Sequence, residues 1–165
     1  AYFLEDYRPA GFLVEDSVER SSRVFDQQTS GLVFTSGTTF AIRDLAVEPI
    51  QTDESFDAAI QSYPFLIKNG EGAIKKDSGK VAQRTAIGID VEKKNLYIFV
   101  VPDRFISLFE FMKEIEALDL PLAYVLNLDG GPSTGIVGEW NGQRYEEDSF
   151  TPVSSVLVFE SIRQQ

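Results

Sequence analysis

A single stretch of this chain carries a helical period. Leu108, Phe111, Met112, Ile115 and Leu118 recur at spacings of three and four residues, the stripe by which an amphipathic helix meets a core. Ser107-Leu108-Phe109-Glu110 has capping-box spacing at its start, and Pro121 ends it. The spacing predicts one helix from Ser107 to Leu118. All other regular patterning is of β type, so the expected class is α+β: a mixed, mainly antiparallel sheet with this helix packed on it.

The strand pattern is clearest from Arg84 to Asp90, where Thr85, Ile87 and Ile89 share one face and Arg84, Ala86, Gly88 and Asp90 the other. Leu96 to Val101 is nearly all apolar, and the short connection between the two predicts an antiparallel hairpin. Gly31 to Phe34 and Thr38 to Ile42 flank the turn Thr35-Ser36-Gly37 and predict a second hairpin. Tyr2-Phe3-Leu4 and Gly11 to Val14 are short β runs. Gln61 to Ile67 reads as one extended segment, with Pro64 at a sheet edge or strand start. Glu71 to Lys80 reads as a charged, exposed loop. Ala123 to Leu128 is a strand after the helix, Asn141-Gly142 a turn, and Val153 to Glu160 a closing strand.

Composition restricts the chemistry. The chain has neither histidine nor cysteine, which excludes Ser-His-Asp catalysis, thiol catalysis and metal sites built on imidazole or thiolate. Acid–base work falls to carboxylates, Lys, Tyr or water. No metal site is expected, and no cofactor is assigned. A net charge of −11 argues against a nucleic-acid backbone or an anionic membrane as partner. No apolar run reaches the 18 residues of a membrane-spanning helix. The 165 residues, 43% apolar, suffice for one domain with a full core.

The densest cluster of chemistry-bearing residues is the turn Asn127-Leu128-Asp129-Gly130-Gly131-Pro132-Ser133-Thr134. Paired glycines permit a sharp turn and close approach to a ligand. The N–H groups of such a turn can form an anion nest, Asp129 adds a carboxylate, and Ser133 and Thr134 add hydroxyls. The same residues also fit a tight strand exit in which Asp129 bonds its own backbone. Arg84 shares its face with the small residues Ala86 and Gly88, whose size leaves space where a guanidinium can grip a phosphate; it also fits a surface arginine paired with an acid. Glu110 fits a general acid or base and, equally, the helix cap. Ser62 fits a ligand hydroxyl or a solvated edge residue. Trp140, beside Gly138 and Gly142, fits a sugar-stacking ring or a hairpin side chain.

In this order, Gln61-Ser62-Tyr63-Pro64, Arg84-Thr85-Ala86-Ile87-Gly88, Ser107-Leu108-Phe109-Glu110, Asn127 to Thr134, and Pro152-Val153 with the following β run resemble the phosphodiester glycosidase domain family, to which the mammalian uncovering enzyme belongs. The resemblance runs from Ala1 to about Phe159. Ala1-Tyr2-Phe3 is similar to the tail of the family's early Asn-(Gly/Ala)-Gly-(Tyr/Phe)-Phe motif. This implies a single domain over residues 1–165 that lacks its N-terminal part.

The resemblance implies a hydrolase that cleaves a glycosyl phosphodiester or related cell-surface glycan. The alternative is a non-catalytic module that binds phosphorylated or acidic polysaccharide. It further implies an exported, bacterial protein with a glycan or sugar-phosphate ligand. Asp129, Arg84 and Glu110 are the expected catalytic residues. Asn127, Gly130, Gly131, Ser133, Thr134 and Ser62 are the expected substrate contacts. Breaking a sugar–phosphate bond puts positive charge on the sugar carbon and negative charge on the leaving phosphate, so a carboxylate beside the one and cationic or N–H donors beside the other suit the reaction.

Overall fold

The computed structural model describes residues 9–21, 30–153 and 156–159; the Tyr2-Phe3-Leu4 run and the side chain of Trp140 lie outside them. Strands β1 (Leu13–Glu15), β2 (Val18–Glu19), β3 (Gly31–Ser36), β4 (Thr39–Asp44) and β5 (Ala58–Ser62) form one sheet in the order β2-β1-β5-β3-β4. Strands β6 (Phe65–Lys68), β7 (Glu71–Gly72), β8 (Val81–Asp90), β9 (Leu96–Ser107) and β10 (Leu122–Asn127) form a second, ordered β7-β6-β10-β8-β9. Strands β11 (Ile136–Trp140) and β12 (Gln143–Glu147) make a separate exposed hairpin turned at Asn141-Gly142. Helix α1 (Leu108–Glu116) is the one α-helix among the described residues, and the pairings within both sheets are antiparallel. The α+β class is as expected, with two sheets in place of one.

The division falls within the segment expected to be continuous. Gln61 and Ser62 close β5 in the first sheet, a cis Tyr63–Pro64 peptide follows, and Phe65 opens β6 in the second. The alternating pattern explains how the sheets stack. Val33, Ile42 and Ile60 of the first meet Phe65, Ile87, Ile89 and Leu126 of the second. The opposite face of the second sheet presents Ala86, Val101 and Val125 to Phe111, Met112 and Ile115 of α1. A third cluster of Phe12, Leu32, Leu45 and Phe56 closes the far side of the first sheet. Burial of these side chains at about 25 cal/mol per Å² is the main stabilising term. Lys68 also joins the sheets, its Nζ lying 2.5 Å from the buried Asp44 Oδ2.

The helix begins as its spacing predicts. Ser107 Oγ accepts the Glu110 N–H at 3.1 Å, and Glu110 Oε2 accepts the Ser107 N–H at 2.7 Å. The expected closing strand differs: Val153 and residues 156–159 have no strand pairing among the described residues, while 154, 155 and 160 lie outside them. High β propensity forms no strand without a ladder partner.

Candidate functional site

Strands β8 and β10 are neighbours, with Ile87 opposite Leu126 and Ala86 opposite Asn127. The ladder continues one step further, the Leu128 N–H donating to the Thr85 carbonyl at 2.9 Å. The chain therefore leaves β10 beside Arg84 and turns there. A Cβ on Gly130 would stand 2.7 Å from the Gln83 carbonyl oxygen and 3.6 Å from Arg84 Cα, so the turn seats on β8 only because residue 130 has no side chain. Gly131, at φ +61°, takes a left-handed conformation that costs other residues energy. It opens the 3-10 turn Gly131–Ser133. Arg84 and the Asp129 turn, remote in sequence, thus meet in one place.

Arg84 is half-buried, and its guanidinium grips the chain itself. Nε donates to the Ile106 carbonyl at 2.9 Å and Nη2 to the Lys80 carbonyl at 2.8 Å. The expected space beside its small neighbours is filled. Ala86 is fully buried beneath Phe111 and Met112 of α1, and a Cβ on Gly88 would come within 3.0 Å of Val125 Cγ2. Those small residues let the helix and β10 pack closely rather than admitting a ligand.

Asp129 is half-buried, and its Oδ1 accepts the Gly130 N–H at 2.9 Å. The carboxylate is thereby oriented through one oxygen. The nest expected from the turn is smaller than its sequence suggests. The Ser133 and Thr134 N–H groups turn inward to the Gly130 and Gly131 carbonyls at 3.4 and 3.0 Å, and Pro132 has no N–H. The Gly131 N–H, first of the 3-10 turn, has no acceptor within it.

Four expected ligand contacts are buried, Gly131 together with Asn127, Ser62 and Thr134. Asn127 Nδ2 donates to the Tyr63 carbonyl at 3.2 Å, and the Asn127 N–H to the Pro64 carbonyl at 3.0 Å, which draws the 62–64 segment alongside the turn. Ser62 and Thr134 are each 1% exposed, and neither hydroxyl has a hydrogen-bond partner among the described residues. A buried hydroxyl without a partner costs about 1–3 kcal/mol. Ser133 is half-buried. Glu110 is exposed on the first turn of α1, with one carboxylate oxygen on the Ser107 N–H. Its link to the turn is indirect, through the pairing of Ser107 with Val81 at the start of β8.

Gln83 escaped the sequence reading. Ala82 pairs with Ile106 while Arg84 pairs with Val101, so Gln83 alone faces residues 102–105, which bulge outward. Buried Gln83 ties the bulge down by donating from Nε2 to the Pro102 carbonyl, as its own carbonyl supports Gly130. Pro102 after the apolar run was the available signal, since proline within a strand marks an edge or a bulge. The bulge exposes Asp103, Arg104 and Phe105, and Arg104 pairs with Glu114 of α1 at 2.7 and 2.5 Å.

Among the described residues no cluster of three or more carboxylates is placed to hold a metal ion, and no helix is long and apolar enough to cross a membrane. A surface cleft lined by Ser17, Ser36, Phe56 and Asp57 lies at the Ser36 end of β3. Ser62 pairs with Gly31 at the other end of that strand, so the cleft is separate from the turn.

The sequence profile of a family described as phosphodiester glycosidase matches residues 1–160. No curated protein matches the chain. Among solved structures, the catalytic domain of zebrafish N-acetylglucosamine-1-phosphodiester alpha-N-acetylglucosaminidase, auto-inhibited by its pro-peptide, is similar at a TM-score of 0.65 and 20% identity, over 88% of this chain and 53% of that one. A hypothetical protein from Synechocystis is similar at a TM-score of 0.61 and 14% identity, over 90% of this chain and 48% of that one. The chain spans about half the length of these structures, and at such identities the likeness concerns the fold.

Proposed function

This chain belongs to the phosphodiester glycosidase family, and from that premise we propose that it hydrolyses a glycosyl phosphodiester, or a related cell-surface glycan, outside the cytoplasm. The observation that carries the reading is the seating of the Asp129 turn on β8. Gly130 leaves no room for a Cβ beside the Gln83 carbonyl and the Arg84 backbone, and Asp129 Oδ1 is fixed by the Gly130 N–H. A carboxylate oriented through one oxygen presents the other to the ligand. In this reading Asp129 stabilises the positive charge that grows on the sugar carbon as the carbon–oxygen bond to phosphate breaks. Arg84 and the Gly131 N–H balance the leaving phosphate. Ser133, half-buried at the rim of the turn, holds a hydroxyl of the ligand, while the buried Ser62, Asn127 and Thr134 shape the wall behind it. Glu110 serves by closing the helix start next to β8.

One observation favours the alternative of a binding module without turnover. Arg84 donates to two backbone carbonyls, and the turn bonds most of its own N–H groups, which limits the donors left for transition-state charge. A chromogenic sugar phosphodiester separates the two readings. Hydrolysis by the wild type, with kcat reduced at least about 100-fold in Asp129→Asn and ligand affinity held within a few-fold, supports the hydrolase. Binding by the wild type without turnover establishes the module instead.

A further inference from the structure

The molecule carries −11 overall, yet three of the four described lysines without a carboxylate partner share the loop that leads into β8 at the candidate site. Elsewhere Arg43, Lys68, Lys94, Arg104, Lys113 and Arg144 each lie within 2.8 Å of a carboxylate oxygen. In the 73–80 loop, which joins β7 to β8, Lys75, Lys76 and Lys80 are exposed, and none pairs with a carboxylate among the described residues. The Lys75 ammonium donates to the Gly72 carbonyl at 2.7 Å. Asp77, the acid within the loop, instead accepts the Gly79 N–H at 2.9 Å. Lys93, in the 91–95 turn, is the other described lysine without a carboxylate. In a chain with 26 acidic side chains, these three lysines against the one carboxylate of Asp77 give residues 75–80 a net charge of +2.

The loop is fixed and adjoins the turn. The Ala73 N–H donates to the Leu66 carbonyl at 2.8 Å and Ile74 N lies 3.3 Å from Met112 Sδ. At the other end, Arg84 Nη2 holds the Lys80 carbonyl at 2.8 Å. Two residues beyond Lys80, Ala82 Cβ lies 4.0 Å from the position a Cβ would take on Gly131. Lys80 therefore follows directly from Arg84 at the turn, and Lys75 and Lys76 precede it in the same anchored loop. At physiological salt the screening length is about 8 Å, so an anion at this edge responds to these lysines more than to distant carboxylates.

We propose that Lys75, Lys76 and Lys80 form a second anion subsite beside the Asp129 turn, and that the ligand is a glycan bearing repeated negative charge, a chain of sugar phosphodiesters rather than an isolated one. The proposal rests on the glycosyl phosphodiester reading and names its substrate class. A lysine ammonium is a point charge with rotatable donors. It suits a repeating anion on a flexible chain better than a single fixed group.

Calorimetric binding tests this with two probes, an oligosaccharide carrying one phosphodiester and a homologue carrying three. The proteins are the wild type, the triple variant Lys75→Gln/Lys76→Gln/Lys80→Gln, and Lys93→Gln; the exposure of all four lysines keeps the fold intact. The triple variant is expected to lose about tenfold in affinity for the three-phosphate probe and less than about twofold for the single one. Its log–log salt slope for the longer probe should flatten by about two, with Lys93→Gln matching the wild type. Equal losses on both probes, or none, overturn the subsite. A single-stranded oligonucleotide of equal charge that binds as tightly as the longer probe overturns the glycan assignment. If the wild type binds the longer probe through these lysines but hydrolyses neither, the hydrolase reading fails and the subsite stands. If it hydrolyses both with no lysine dependence, the reverse holds. Binding of neither probe rejects both.

Discussion

Arg84 Nε donates to the carbonyl of Ile106 at 2.9 Å, which ties the start of β8 to the residue immediately before the Ser107 helix cap. Arg84 is therefore a structural clamp as well as a cation whose backbone lies against the Asp129 turn. Its replacement should act twice. Arg84→Lys keeps the charge but loses the planar fork, with an expected cost of about 1.5–3 kcal/mol in ligand or transition-state binding. Arg84→Ala should cost at least as much and also lower unfolding stability by about 1–3 kcal/mol, since the Ile106 and Lys80 carbonyls lose a charged donor. Urea unfolding and kcat/KM measured on the same preparations separate the two effects, with Lys93→Ala as a surface reference. If Arg84→Ala matches Lys93→Ala in both, Arg84 neither clamps nor binds.

Gly130 and Gly131 should fail for different reasons. Gly130 has φ −143°, which any residue adopts, so its constraint is the 2.7 Å approach to the Gln83 carbonyl. Gly130→Ala pushes the turn off β8, and stability should fall by about 1–3 kcal/mol, with activity or ligand binding largely lost. A Cβ on Gly131 would have open space, 4.0 Å from Ala82 Cβ, but the residue has a φ of +61°. Gly131→Ala should cost about 1 kcal/mol, and Gly131→Asn less, because asparagine tolerates left-handed backbone. A rescue by Asn at 131 and none at 130 is the expected pattern in thermal unfolding.

The Arg104–Glu114 pair fastens the 102–105 bulge to α1 and gives it a pH dependence. The hydrogen bond from Arg104, with the positive charge behind it, holds the Glu114 carboxyl below its ordinary range against a smaller opposing effect of burial. A carboxyl with a lowered folded pKa stabilises the fold fully above its unfolded value, and the contribution is lost as pH falls through the lowered one. The difference in thermal midpoint between wild type and Arg104→Gln should thus be constant near neutral pH and close below the usual glutamate range. Both side chains are about half exposed, so the gap is small and should shrink with added salt. A gap that persists in acid would assign the effect to packing of the arginine stem.

Much of the fold was legible because its signals are local. The Ser107–Glu110 capping box, the apolar stripe of α1 and the alternation from Arg84 to Asp90 each express the period of one element. The Asn127 to Thr134 turn was legible as a candidate site because it gathers a carboxylate, paired glycines and hydroxyls within eight positions. Less legible were features requiring two distant segments to meet. The hydrogen bonds of Asn127 to Tyr63 and Pro64, and the contact of Gly130 with Gln83, join segments far apart in the chain.

The sequence by itself determined the α+β class, the one α-helix among the described residues with both its cap contacts, the hairpins, and the residues able to carry chemistry without histidine or cysteine. Only the tertiary structure decided that Gln61 to Ile67 divides between two sheets, that Ala86 lies beneath Phe111 and Met112, and that Arg84 clamps Ile106. It also decided which cations are neutralised. Arg43 reaches Glu54 and Lys68 reaches Asp44, while Lys75, Lys76 and Lys80 meet no described carboxylate. The physical reason is that periodicity and turn chemistry act over a few residues, whereas burial, clash and charge pairing depend on which strands become neighbours.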